Sequence, residues 1–313
     1  MKAIQLLPLY CRGSGIGRVA QLFLMIVALI VAGCVAPRPT GRAVRARTAL
    51  AAADESTVSS MAHAHTYAGI PVPSNISSEY TLLENEGYAV GYSESRKTPV
   101  WAAYRVFALD DFETFDRPSK FKVDERTEAG VHHDDYKYTG FDRGHMAPNF
   151  AVMSRYGRVA QLETFLMSNV CPQCPGLNQE PWEALEKRIA DDYANDFEEV
   201  WVISGPIFSS NPEALDAGVS IPSKFFSIVV DEEGGNPAAL AIIMTQQTKG
   251  VHPLSAFVTT VREIETQTNL DFFAPLPDNI ENQLETSPAD ARWRLDRDLV
   301  PSRGTRPRAP CPP

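Results

Sequence analysis

The chain has 313 residues, 44% of them hydrophobic, and a formal net charge of −10. This length, with a polar tail at each end, suits one large domain better than two, and the apolar fraction is ample for a core. The first 33 residues hold only Lys2, Arg12 and Arg18 as charged side chains, so the remainder carries 26 basic against 39 acidic residues. An acidic body excludes histone-like coating of polyanions but leaves room for a local basic cleft.

Arg12 and Arg18 precede an apolar run, Val19 to Ala32. The run is shorter than the roughly 20 residues that span a bilayer. A basic region, a short apolar run and a small-residue cleavage site predict a secretory signal over residues 1–33. Val31-Ala32-Gly33-Cys34 resembles a bacterial lipobox, which implies that Cys34 is lipidated and becomes the mature N-terminus. An ordinary signal peptide or an uncleaved anchor is the alternative. The lipobox reading implies an exported protein of the cell envelope, lipid-anchored in a bacterial membrane and facing periplasm or exterior. Residues 34–75, rich in Ala, Pro, Arg and Ser and without periodicity, predict a flexible tether. His63 and His65 are read as solvated within it.

Residues 76–300 follow as a single mixed α+β domain. Val100–Phe107, Val200–Ile203, Phe225–Val230 and Ala239–Met244 are rich in β-branched and aromatic residues and predict strands. Trp182, Leu185, Ile189 and Tyr193 form one apolar stripe at helical spacing, with Pro181 in the first turn, where its missing N–H costs nothing. Arg158–Met167 and Leu254–Thr266 are further helix candidates. Residues 301–313, among whose prolines stand Arg303, Arg306 and Arg308, predict a disordered tail.

The densest chemistry lies in Tyr138-Thr-Gly-Phe-Asp-Arg-Gly-His-Met-Ala-Pro-Asn149. Arg143 and His145 stand one residue apart, an arrangement suited to phosphodiester work: a guanidinium holds phosphate and an imidazole takes a proton from water. Gly144 between them is expected to let backbone approach a ligand closely. Pro148 and Asn149 close the turn. The dozen residues resemble the signature of the DNA/RNA non-specific endonucleases. That resemblance extends from Glu79 to Glu285 and implies a ββα-metal nuclease core, with a central, mostly antiparallel sheet flanked by helices.

Further roles follow from the same resemblance. Leu177-Asn-Gln179 resembles the family's metal-binding helix, which implies Asn178 as the direct ligand of one Mg²⁺, with Mn²⁺ able to substitute. An amide oxygen suits this hard ion, which keeps most of its waters. An asparagine at a helix start is otherwise an N-cap. Glu186, eight residues on and about 12 Å along a continuous helix, is too far to share direct ligation; binding through water fits and is the role the resemblance implies, with an exposed helix charge paired with Lys187 or Arg188 as the alternative. Asn169 in Ser168-Asn169 orients the site or makes a structural turn. Phe115–Arg126 resembles the segment that supplies a second phosphate-binding arginine, Arg117, with Arg126 as alternative. Asp142 is expected to fix the turn rather than react, and His132 and His133 to be solvated.

Five cysteines remain to be sorted. Cys11 leaves with the signal and Cys34 takes lipid. Cys171-Pro-Gln-Cys174 could be a redox pair, half a zinc site or a small disulfide. Zinc lacks a second ligand pair and no thioredoxin-like βαβ pattern surrounds the motif. A structural disulfide between Cys171 and Cys174 is therefore expected, with Cys311 a competitor for either partner. The functional reading is a Mg²⁺-dependent nuclease that hydrolyses DNA and RNA to 5′-phosphate products, binding both through phosphate contacts. The alternative is a catalytically weak nucleic-acid-binding envelope lipoprotein on the same fold.

Overall fold

Long β-branched and aromatic segments assemble into one eight-stranded sheet in the computed structural model, which describes residues 44–45, 64–302 and 311–312. Its order is β1 (Val44–Arg45), β2 (Thr81–Glu84), β3 (Ala89–Ser93) and β4 (Thr98–Phe107), then β7 (Glu199–Ile207), β8 (Lys224–Glu233), β9 (Asn236–Thr245) and β10 (Val258–Thr259). All neighbours pair antiparallel. Between β4 and β7 the chain leaves the sheet to form a separate antiparallel ribbon, β5 (Asp142–His145) with β6 (Val170–Gln173).

The sheet is buried on both faces, so its central strands are hydrophobic almost throughout. On β4, Ala102, Tyr104 and Val106 join one core, while Trp101 and Ala103 alternate into the other. Period-two alternation puts successive side chains on opposite faces. The first core is covered by α1 (Asn149–Thr164), α2 (Pro175–Asn178), α3 (Pro181–Lys187) and a π-helical continuation, Arg188–Tyr193. The second is covered by α4 (Val261–Thr268) and α5 (Asp278–Thr286). The expected stripe Trp182, Leu185, Ile189 and Tyr193 is buried as read. Each such side chain removed from water contributes about 1.5–3 kcal/mol.

Several expectations need correction. The tether does not reach residue 75: His65 and Thr66 are buried, Tyr67 packs on Trp201 and Phe273, and Val72–Pro73 pairs with Leu270–Asp271. His65 lies edge-on to Tyr156, and burial holds its pKa down to about 4, so it is a core group rather than a solvated one. The helix expected from Arg158 begins nine residues earlier, at Asn149, and bends at Gly157, whose φ of 80° is open to glycine at little cost. The apolar run 19–32, Cys34 and His63 lie outside the described residues.

The disulfide joins Cys174 to Cys311, and Cys171 is a free, buried thiol. Cys171 lies on β6 and Cys174 directly after it in extended conformation. Three extended steps separate Cα atoms by about 10 Å, beyond the ~7 Å limit for a bridge. Cys311 approaches Cys174 to 5.2 Å between Cα atoms. The tail is thus held at Cys311. It is held also at Ser302, whose N–H donates to Glu183 at 3.0 Å; residues 303–310 lie outside the described residues.

Candidate active site

The ribbon and the helices after it bring the motif residues to one cleft of about 460 Å³, lined by Arg117, Arg143, His145, Asn178 and Glu186 among others. Asp142, Arg143, Gly144 and His145 pair with Gln173, Pro172, Cys171 and Val170. A Cβ at Gly144 would collide with the Gln173 side chain. The glycine therefore serves close contact with the neighbouring strand, not approach to a ligand.

His145 is buried between the rings of Phe121 and Phe165, at centroid distances of 5.0 and 5.1 Å. Its Nε2 is buried without a hydrogen-bond partner among the described residues. Burial, and then the positive charge of Arg117, lower its pKa to about 3. The imidazole is accordingly neutral at pH 7 and carries a lone pair.

Arg143 is anchored from behind. Its Nε and Nη2 donate to the His133 carbonyl at 2.9 and 2.5 Å, and its guanidinium lies over Tyr136. Arg117 lies over the Phe165 ring at 5.0 Å and lines the same cleft. Arg126 is elsewhere engaged: it pairs with Asp124 at 2.7 Å and donates to the Glu84 carbonyl and to Asn85. Of the two candidates, only Arg117 faces the cleft.

Asn169 is fully buried and clasps the motif. Its Oδ1 accepts from Ala147 N at 2.8 Å, and its Nδ2 donates to the Ala147 and Thr164 carbonyls. Asn178 is not an N-cap. It ends α2, and Gln179–Glu180 separate that turn from α3, so the helix is not continuous to Glu186. Asn178 Nδ2 donates to Asp142 Oδ2 at 2.9 Å, which fixes the amide and leaves Oδ1 as the oxygen to offer a cation.

Glu186 is half-buried beside Glu183, and burial, then that neighbour, push its carboxyl up to about 8. An amide oxygen with carboxylates lining the same cleft is a hard-oxygen donor set, chemically fit for Mg²⁺. A second carboxylate cluster, Glu265, Asp271 and Glu285, lies on the elements covering the other core, with Arg262 paired to Glu265 and Glu285.

Sequence reasoning missed three residues that shape this site. His133 is not merely solvated: its ring stacks on Phe121 and its Nδ1 accepts from Phe121 N at 3.2 Å, while its carbonyl holds Arg143. Gln179 donates to Asp142 Oδ2 at 2.6 Å. Asn149, first residue of α1, lines the cleft with a buried Oδ1 that has no hydrogen-bond partner among the described residues. Asn149 and Gln179 lay within segments already singled out by their chemistry, and His133 did not.

A family model described as DNA/RNA non-specific endonuclease matches residues 68–279. The chain is similar to mitochondrial endonuclease G of Homo sapiens, 27% identical over 217 residues, covering 61% of this chain and 69% of that protein. It is 28% identical to a nuclease of Nostoc sp. over 232 residues, with coverages of 68% and 81%. A chain of the crystal structure of the EndoG/EndoGI complex superposes with a TM-score of 0.55 at 25% identity, covering 63% of this chain and 86% of its own.

Proposed function

The chain belongs to the DNA/RNA non-specific endonuclease family, and on that premise we propose that it is a Mg²⁺-dependent nuclease in which His145 is the general base. The observation that carries this reading is the buried, unpartnered Nε2 of a neutral imidazole on a cleft that also holds two arginines and Asn178. A nitrogen so disposed accepts a proton from a water attacking phosphorus. Burial is the larger cause of the low basicity of His145, and a phosphodiester bound beside Arg117 brings negative charge that offsets the smaller part, the repulsion from Arg117.

Arg143, its orientation set by the His133 carbonyl, clamps the phosphate with Arg117. Both guanidiniums favour the extra negative charge of the pentacovalent transition state over the ground state. Asn178 would hold the Mg²⁺ directly and Glu186 through water, and Mn²⁺ would substitute. When bound, the ion would supply Lewis-acid stabilisation of negative charge on the phosphodiester, and water attack that breaks the P–O3′ bond would leave 5′-phosphate and 3′-hydroxyl ends. Asp142 and Asn169 are positioning residues. Export as a Cys34-linked lipoprotein sets this chemistry at the cell envelope.

Nicking of supercoiled plasmid and cleavage of single-stranded RNA, with Mg²⁺ and with EDTA, test the reading. Cleavage of both substrates in Mg²⁺ alone, with 5′-phosphate on the new ends, is expected. Activity unchanged by EDTA overturns the metal assignment, and binding without cleavage overturns the enzyme.

A further inference from the structure

A second cavity, of about 310 Å³, opens beside the catalytic cleft and shares four wall residues with it: Pro148, Phe150, Glu183 and Glu186. Its volume is within the range of sites that take small organic groups, ~300–1,000 Å³. The two spaces differ in chemistry. The cleft carries Arg117 and Arg143, which the side cavity lacks, whereas the cavity adds Ala151 and Asp191 to the shared Pro148, Phe150, Glu183 and Glu186. Its one lysine, Lys187, is already ion-paired with Asp191.

The side cavity lacks both arginines and its lysine is tied to Asp191, so it does not continue the phosphate track. Its apolar face instead fits a flat, neutral ring, and carboxylates accept from exocyclic amines. Phe150 supplies the aromatic surface. It is 39% exposed and rests edge-on against Phe112, itself 40% exposed, at a centroid distance of 5.7 Å. Phe150 thus keeps part of its ring exposed at the rim of the phosphate cleft, braced by Phe112, which leaves aromatic surface for a ligand.

We propose that this cavity is a nucleobase subsite, which receives the base of the nucleotide next to the scissile phosphate and stacks it on Phe150. The inference rests on the nuclease reading of the neighbouring cleft and adds to it a non-phosphate contact. Base stacking on aromatic side chains is tolerant of sequence, as every base has a π-face, so the subsite is compatible with non-specific cleavage.

The test measures cleavage of a single-stranded DNA oligonucleotide by full-length wild type and by Phe150→Ala, Phe150→Leu and Phe150→Trp. The two variants without a ring should raise KM roughly tenfold, with kcat within about threefold, and Phe150→Trp should retain the wild-type KM. An abasic residue on one side of the scissile bond should reproduce the KM rise in wild type and add nothing in Phe150→Leu. Phe150→Leu keeps an apolar contact with Phe112, so its effect is not one of folding. Wild-type KM in Phe150→Leu, or an abasic penalty unchanged in that variant, overturns the subsite while the nuclease stands. Absence of Mg²⁺-dependent cleavage by wild type overturns both.

Discussion

Asn178 donates from Nδ2 to Asp142 Oδ2 at 2.9 Å, and Gln179 donates to the same oxygen at 2.6 Å. One carboxylate on the ribbon thus holds the end of α2 in place and fixes the orientation of the Asn178 amide. Within the motif, Asp142 grips a residue 36 positions away.

Asp142→Ala should therefore resemble a weak metal-site mutation. Loss of a group that orients a metal ligand typically costs 10–100-fold in metal affinity or activity. Cleavage titrated with Mg²⁺ should show a raised half-saturation, with most of kcat recovered at high metal. An unchanged half-saturation would separate Asp142 from the metal site.

Asn169→Ala strips partners from both the N–H and the carbonyl of Ala147 in a fully buried setting. Each orphaned buried group costs about 1–3 kcal/mol. Urea denaturation should show a loss of at least about 2 kcal/mol. A loss below about 0.5 kcal/mol would mean that Asn169 does not brace the motif.

The Cys174–Cys311 bridge closes a sequence separation of 137 residues. Cys311→Ser should cost about 2–4 kcal/mol, and reduction of the wild type the same. Non-reduced digests should link these two cysteines, and Cys171 should react with thiol reagents only after unfolding. A Cys171–Cys174 link would contradict the pairing.

His65 is held at about 4 in the fold, against an ordinary 6.5 when unfolded. As pH falls below 6.5 the unfolded chain takes a proton that the native state refuses, so this residue subtracts stability. At pH 5 the loss is about 2 kcal/mol at 1.36 kcal/mol per pKa unit. Glu186 and Glu265, raised to about 8, act in the opposite sense as acid is added. The difference between wild type and His65→Asn, measured by denaturation at pH 7.5 and 5, removes their contribution. His65→Asn should gain relative to wild type at the lower pH; a constant difference would contradict the burial of a neutral His65.

What the sequence made legible was local. The neighbouring guanidinium and imidazole of Arg143 and His145, and the stripe from Trp182 to Tyr193, are short-range patterns, and each survives in the fold. What escaped depends on distant chain segments. His133 matters through its carbonyl and through Phe121, neither visible in a run of polar residues. Cys174 finds a partner that only tertiary structure brings near, because β6 is extended and carries Cys171 out of reach. The break at Gln179–Glu180 lay hidden in a segment whose periodicity continues beyond it. His65 sits in a stretch polar enough to read as tether, yet packs on Tyr156.

The most direct test of the central claim is turnover and DNA affinity of His145→Ala, measured side by side in saturating Mg²⁺. The substitution removes the proton acceptor but neither arginine nor Asn178. Turnover should fall by about 10²–10⁴, the range for general-base catalysis, with DNA affinity nearly unchanged. Turnover close to wild type would contradict His145 as the base, whatever the metal requirement proves to be.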